Sequence, residues 1–425
     1  MWYQKIIQIF KIPELRKKIF FVLGIFAVFR LMSNIPIPGM NAQNLKVFFE
    51  QFQLFGLLNM FTGGTLDKFS IAMLGLGPYI TSTIILQLLT MIFPQLEKMY
   101  KEEGEAGRRK FNQYGRILTV PLAILQGYAM LSLFQRQNVI PHLPPLIFLS
   151  SILTITAGTM LLMWFGELIS EKGIGNGVSL LIFAGIIANV PSNIRQIIFT
   201  WDVSQIPSYI LFFAMAFVII AGVVLITEGR RNIPVSYAKR VKGMKMYGGA
   251  STYLPLNINP AGVIPIIFAL SILLFPSMIA SFLSGVSGPV GSISKNIADF
   301  FNNPWIHGIL YFILVIIFTY FYTAVTFDPK AIANNLKKMG GFIPGIRPGD
   351  STVHFLSYIL NRVLFIGALF LGIIAVLPSI VEGITNIKVF GFLIGGTSLL
   401  IVVSVVLETM RQINAQLEMR DYETF

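Results

Sequence analysis

The sequence predicts an all-α integral membrane protein, with ten transmembrane helices arranged as two inverted five-helix halves. Three observations carry that fold class. The 425-residue chain is 55% hydrophobic and only 12% charged, with a mean hydropathy of +0.73, whereas a soluble domain is about a quarter charged. Apolar stretches of membrane length recur along its whole extent. Its charge is gathered into two loops, from Glu97 to Lys110 and from Glu228 to Lys245.

A helix that crosses roughly 30 Å of hydrocarbon needs about 20 apolar residues. Such stretches lie near 19–36, 70–93, 115–136, 147–169, 178–196, 207–227, 260–282, 306–327, 355–378 and 387–408. The first is followed by further spans and lacks a small-residue cleavage pattern, so it reads as a span and not as a removable signal. Lys and Arg decide the orientation. With the N-terminus in the cytoplasm, the inside holds Lys11, Arg16, Lys17 and Lys18, the basic residues of both charged stretches, Lys172, and Lys330, Lys337, Lys338, Arg347 and Arg411. The outside holds Lys46, Lys68, Arg195, Lys295 and Lys388. Both termini are therefore expected on the cytoplasmic side, and the net charge of +13 reads as topology before it reads as nucleic-acid binding. Five spans per half, over 1–205 and 206–425, force the second half into the membrane upside down. A functional path then lies between the halves.

One segment breaks the pattern. The apolar run from Leu54 to Phe61 is too short to cross a bilayer, and Gly63-Gly64 interrupts any helix after it. Non-helical backbone at membrane depth survives only where protein or a water-filled cavity surrounds it. Residues 54–68 are thus either a re-entrant piece inside a central cavity or an amphipathic helix on the outer surface.

Catalytic signals are nearly absent. Without cysteine there is no disulfide, thiol nucleophile or thiolate metal site. The three histidines, His142, His307 and His354, are scattered, and no HExxH motif occurs. Gly173-Ile174-Gly175-Asn176-Gly177 follows a span and lacks the strand–turn–helix setting of a nucleotide fingerprint, so it reads as a tight turn. No enzyme activity, cofactor or metal is expected, and any energy from ATP must come from a partner. Arg30, Glu167 and Arg362 are the charges seen inside spans, and Arg30 and Glu167 sit near span ends where structural roles fit them. An ion-coupled transporter with inverted repeats is the alternative, but it usually carries acidic groups near the midplane. Here the span middles are aliphatic, and a pore closed by aliphatics offers ions no ligands and resists water by dewetting.

Several blocks, in order along essentially the whole chain, resemble the SecY family of protein-conducting channels. They include Gly75-Leu76-Gly77-Pro78-Tyr79-Ile80-Thr81-Ser82, Glu103-Gly104-Glu105-Ala106-Gly107-Arg108-Arg109-Lys110, Tyr237-Ala238-Lys239-Arg240, Pro344-Gly345-Ile346-Arg347-Pro348-Gly349 and Gly395-Gly396-Thr397-Ser398-Leu399-Leu400-Ile401. The resemblance implies a clamshell around a central hourglass pore, with 54–68 as a re-entrant plug that includes Asn59, Met60, Phe61, Thr62, Gly63 and Gly64. Family pore-ring positions fall on Leu76, Ile80, Val178, Ile182, Ile267 and Ile401, all aliphatic. Thr81, Ser82, Gln126 and Phe275 become candidate lateral-gate residues. The inner loops 228–259 and 328–353 resemble docking sites for the SecA motor and the ribosome, through Lys239, Arg240, Lys245 and Arg347. Arginine suits such contacts because its guanidinium pairs in bidentate fashion with carboxylate or phosphate. At Gly243-Met244-Lys245-Met246 methionines interrupt a run that is basic in many relatives. The resemblance further implies SecE and SecG as subunits, signal sequences and unfolded preproteins as cargo, and the bacterial plasma membrane as location.

Overall fold

In the computed structural model, residues 11–37, 59, 62–66, 68–137, 139–199, 206–237, 240–242, 245–247, 251–283, 289–385 and 396–423 are described. The first half contains α1 (Pro13–Met32), α2 (Gly77–Ile92), α3 (Pro94–Lys101), α4 (Gly104–Arg136), α5 (Pro145–Lys172) and α6 (Gly177–Phe199). The second contains α7 (Ile206–Glu228), β1 (Arg230–Tyr237), β2 (Arg240–Lys242), β3 (Lys245–Tyr247), β4 (Ser251–Asn257), α8 (Ile264–Leu283), α9 (Pro289–Asn302) and α10 (Pro304–Thr326). The chain continues through α11 (Pro329–Lys338), β5 (Gly341–Phe342), α12 (Asp350–Thr385) and α13 (Gly396–Glu423).

Local chemistry sets many of these boundaries. Proline opens α1, α3, α5, α10 and α11, where its missing N–H costs nothing and its fixed φ suits the first turn. Asp328 caps α11 by accepting from the amides of Lys330 and Ala331 at 2.9 and 3.2 Å, and Asn303 caps α10 by accepting from the Trp305 amide at 3.1 Å. Both satisfy donors that a helix start leaves open. The glycine-bearing turn before α6 behaves the same way. Gly175 takes φ +90°, and Asn176 Oδ1 accepts from Val178 and Ser179 at 3.1 and 3.2 Å.

Each of the ten predicted spans carries a helix: α1, α2, α4, α5, α6, α7, α8, α10, α12 and α13. Among the described residues, five helical runs are long and apolar enough on their own to cross a membrane, and the pair α2–α3, bent by 111°, makes a sixth. The structure departs from the sequence reading at four places. The stretch 97–110 is mostly helix and not a loop, because α3 reaches Lys101 and α4 starts at Gly104, whose φ of +62° reverses the chain. The predicted second span begins as turns over 71–76, and only from Gly77 as helix. Two amphipathic helices, α9 and α11, occupy connections between spans. Finally, the long connection after α7, read as a loop, is a β structure within an otherwise helical fold.

That β structure ties two distant connections together. β1 pairs antiparallel with β4 from Arg230↔Asn257 to Ser236↔Ser251. On its other edge β1 accepts β5, through Ser236↔Phe342 and Tyr237↔Gly341, so the sheet order is β4-β1-β5. β2 and β3 form a separate hairpin, Arg240↔Tyr247 to Lys242↔Lys245. The sheet and α11 close over a small core of Ile233, Val235, Leu256, Leu336, Ile343 and Leu356. Alternate residues of β1 are buried, as expected of a strand with one covered face.

The main core is a single cluster. It takes Val22, Ile25 and Phe29 from α1, Phe165 and Ile169 from α5, Ile219 and Val223 from α7, Phe268 and Leu270 from α8, Val315 and Phe318 from α10, Leu371 and Ile374 from α12, and Val405 from α13. α4 belongs instead to a second cluster with Phe69, Met73 and Ile155.

The shared sheet and core make the two connections one body. Placing a charge at Ile233, which is 2% exposed, should open both, because burying an unpaired carboxylate is costly. Limited trypsin digestion of Ile233→Asp in membranes is expected to increase cleavage within 228–259 and 328–353 together. Cleavage confined to the first would show that the connections are independent.

Candidate functional site

The six aliphatic positions singled out in the sequence converge. Leu76, Ile182, Ile267 and Ile401 are members of the main cluster, and Ile80 and Val178 pack against it half-buried. They come from separate elements: Leu76 is the residue before α2, Ile80 lies on α2, Val178 and Ile182 on α6, Ile267 on α8 and Ile401 on α13. Ile401 is fully buried and Ile182 is 3% exposed. The Asn176 cap sets where α6 begins, and so fixes the height of Val178 and Ile182. Asn259 does the same for α8, its side-chain amide donating to Gly262 O at 3.0 Å in the turn before the helix.

The irregular segment sits against the same place. Thr62, Gly63, Gly64, Thr65 and Leu66 are all buried, with Gly63 at φ +77° and Gly64 at +71°. Its backbone is satisfied locally: Gly64 N donates to Asn59 O at 2.8 Å and Ser70 N to Thr65 O at 3.1 Å. Thr62 Oγ1 donates to Asn59 O at 3.1 Å. Thr65 Oγ1 lies 2.9 Å from Thr62 O and 3.0 Å from Ala72 O. The segment's base is pinned by Ile37 N donating to Phe69 O at 2.8 Å and Ile71 N to Ile35 O at 3.1 Å. Phe69 accepts the rare φ of +45° and is fully buried, edge-on to Phe134 at 5.3 Å. Such a backbone costs of order 1–3 kcal/mol and persists only where its surroundings hold it. Of the plug residues expected from the sequence, Asn59, Thr62, Gly63 and Gly64 are seen; Met60 and Phe61 lie outside the described residues.

Where Gly63 meets Gly185 of α6, no side chain intervenes. A Cβ built on Gly63 would stand 2.6 Å from Gly185 Cα, and one on Gly64 would stand 2.5 Å from Asn189 Oδ1. Val178, Ile182, Gly185 and Asn189 are spaced four, three and four apart, so they form one stripe of α6. Gly185 and Asn189 escaped the sequence reading, although that spacing from Val178 and Ile182 was the signal that could have found them.

The seam residues are only partly gathered. α8 packs against both α2 and α4. Thr81 is half-buried with its hydroxyl donating to Gly77 O at 3.0 Å, and Gln126 is buried on α4. Ser82 departs from expectation. Its hydroxyl donates to Gly115 O at 2.6 Å, which fastens α2 to α4 instead of hydrating the seam. Phe275 lies on α8 with its side chain outside the described residues.

The three charges that the sequence placed inside spans each meet a partner. Glu167 meets Arg116 Nε at 2.6 Å, Arg362 stacks over the Tyr358 ring at 4.3 Å, and Arg30 Nη1 points to Gly63 O at 3.5 Å. At the sheet end of the bundle, Arg411 Nε donates to Glu228 Oε1 at 2.9 Å and its Nη2 donates to Thr227 O. This clamps the end of α7, from which β1 departs, to α13. Arg347 is exposed in the turn before α12, with its backbone held by Thr352 Oγ1 at 3.0 Å. Arg240 and Lys245 lie on β2 and β3 with side chains outside the described residues, and Lys239 lies outside them altogether.

Comparison with known proteins gives a consistent result. A family model described as SecY matches residues 70–410. The protein translocase subunit SecY of Streptomyces coelicolor is 46% identical over 434 residues, covering 98% of each chain. That of Aquifex aeolicus is 43% identical over 430 residues, again with 98% of each chain covered. Among solved structures, a protein-conducting channel matches with TM-score 0.64 at 21% identity, over 93% of this chain and 91% of that one. Sec61 in the canine ribosome–channel complex matches with TM-score 0.62 at 20% identity, over the same shares. The fold is that of these channels.

The Arg411 clamp is directly testable. Arg411→Ala removes a charge-assisted bond to a helix-end carbonyl along with a half-exposed ion pair, a loss of about 1–3 kcal/mol. Glu228→Gln keeps the Thr227 contact. Thermal unfolding in detergent is expected to show a clearly lower Tm for Arg411→Ala and a smaller drop for Glu228→Gln; equal drops would assign the whole effect to the ion pair.

Proposed function

The chain belongs to the SecY family, and from that premise we propose how its parts divide the labour of protein translocation. It is a multi-pass channel subunit of a protein translocase that passes unfolded polypeptides through the membrane and releases transmembrane segments sideways into lipid. The ion-coupled transporter alternative finds no support among its relatives. The observation that carries the residue assignment is the convergence of six aliphatic positions from separate helices on one buried cluster.

In this reading Leu76, Ile80, Val178, Ile182, Ile267 and Ile401 form the constriction. Aliphatic side chains offer a passing ion no oxygen to replace its hydration shell, and a narrow apolar throat dewets. They also hold no particular peptide, because dispersion contacts are individually small and undirected. The seal therefore parts for any sequence and closes behind it. Residues 54–68 act as the plug on the side of the throat away from the sheet. The half 1–205 and the half 206–425 open against each other, with α2 and α4 facing α8 and α10 across the lateral gate, near Thr81, Gln126 and Phe275. An apolar signal helix leaves this seam for lipid because about 25 cal/mol is gained per Å² of apolar surface removed from water.

The basic connections serve as the docking surface for the SecA ATPase, which supplies the energy of ATP, and for the ribosome. Arg240 and Arg347 make the main contacts, with Lys239 and Lys245 beside them. SecE clamps the two halves, with SecG as a further subunit. The Lys and Arg asymmetry supports both termini cytoplasmic, and bacterial relatives support a plasma membrane location.

A preprotein stalled in reconstituted vesicles is expected to crosslink to photoreactive residues at positions 80 and 267. Adducts made only with lipid or with the protein's outer face would overturn the pore assignment. Asparagine at positions 80, 182, 267 and 401 is expected to raise resting ion conductance in planar bilayers; unchanged conductance counts against the ring. Arg347→Glu is expected to reduce motor-driven translocation at least tenfold at unchanged expression, and normal translocation would remove this residue from the docking surface.

A further inference from the structure

We propose that Gly185 and Asn189 of α6 are the seat on which the plug rests, and that a backbone-to-backbone contact between Gly63 and Gly185 holds the channel shut. This inference rests on the channel reading above and adds to it a specific closing contact.

The argument starts from what glycine permits. A Cβ built on Gly63 would lie 2.6 Å from Gly185 Cα, and a Cβ built on Gly185 would lie 2.8 Å from Gly63 Cα. Two main chains touch here, which only a glycine on each side allows. The neighbouring Gly64 lies against the Asn189 side chain, with the same built atom 2.5 Å from Oδ1 and 2.9 Å from Nδ2. Phe29 of α1 closes the third side, its ring tip 3.3 Å from the Cβ that Gly63 lacks. Arg30 adds one polar tether, its Nη1 at 3.5 Å from Gly63 O. The contact is buried on both sides, since Gly63, Gly64 and Gly185 are all inaccessible.

Position makes this more than packing. Gly185 and Asn189 continue the stripe of Val178 and Ile182 along α6, one turn above the constriction. A plug seated there lies directly over the throat. A seat made of main chain has two mechanical consequences. It registers the plug precisely in depth, because any side chain at either glycine displaces it. It also releases without disengaging interlocked side chains, so it suits a part that must leave whenever cargo enters.

The full translocase, reconstituted with its partner subunits, provides the test. Gly185→Leu overpacks the contact and forces the plug off its seat, so resting conductance in planar bilayers is expected to rise about tenfold or more. Gly185→Ala is expected to fall between Gly185→Leu and the parent. Ile187→Leu, on an exposed face of the same helix, is the control and is expected to conduct like the parent. Because the chain has no cysteine, a Gly64→Cys/Asn189→Cys pair reports the seat independently of whether Gly185→Leu assembles. The pair is expected to crosslink under mild oxidation, to block preprotein translocation, and to recover on reduction. A Gly185→Leu channel that translocates normally and conducts like the parent overturns the seat, as does a cysteine pair that fails to crosslink in a translocating channel. If the parent itself does not translocate preprotein, the channel reading falls instead.

Discussion

The structure depends on one constraint: main-chain polar groups at membrane depth must find partners inside the protein. Helices meet it by themselves, and a non-helical segment cannot. Residues 62–76 meet it through turns, threonine hydroxyls and the pairing of 69–71 with 35–37. That network demands left-handed backbone at Gly63, Gly64, Phe69 and Gly75. It also demands a protein wall on every side, supplied by α1, α4, α5 and α6. The main cluster lies against the same wall through Phe29 and α6, so the segment that carries irregular chain packs beside the aliphatic positions 182 and 178.

Lipid provides little hydrophobic force between helices, because acyl chains are as apolar as leucine. The main cluster nonetheless gathers side chains from both halves into one body. Close packing and steric fit hold it, helped by a few polar ties at the ends such as Arg116–Glu167 and Arg411–Glu228. Those ties sit where water reaches them and where an isolated charge would otherwise be expensive.

Much of this was legible in the sequence. Span count follows from length and hydropathy, and the ten predicted stretches all carry helix. The six aliphatic positions came from motif resemblance, and the structure adds that four belong to one buried cluster and two pack against it. What escaped has physical causes. The helix over 104–136 begins in a run of charges, because a helix that projects beyond the bilayer is polar where it meets water and shows no apolar period there. The β4-β1-β5 sheet escaped because one of its strands is only two residues long. Gly185 escaped because a single glycine in an apolar span looks unremarkable until the partner main chain is seen. Ser82 was expected at the seam for its polarity, yet a hydroxyl in a helix is equally served by a carbonyl on its neighbour, and here Gly115 provides it.

The sheet also fixes an order of assembly. β1 and β4 are separated by a short hairpin and pair as soon as both have been made. The second edge of β1 finds its partner only when Gly341 and Phe342 arrive, after α8, α9, α10 and α11 have been synthesised. Until then the nascent chain presents an open strand edge, which is a template for pairing with other chains. The charged, proline-bearing sequence Arg230-Arg231-Asn232-Ile233-Pro234 lies on the part of that edge that β5 leaves uncovered, and it disfavours such pairing there.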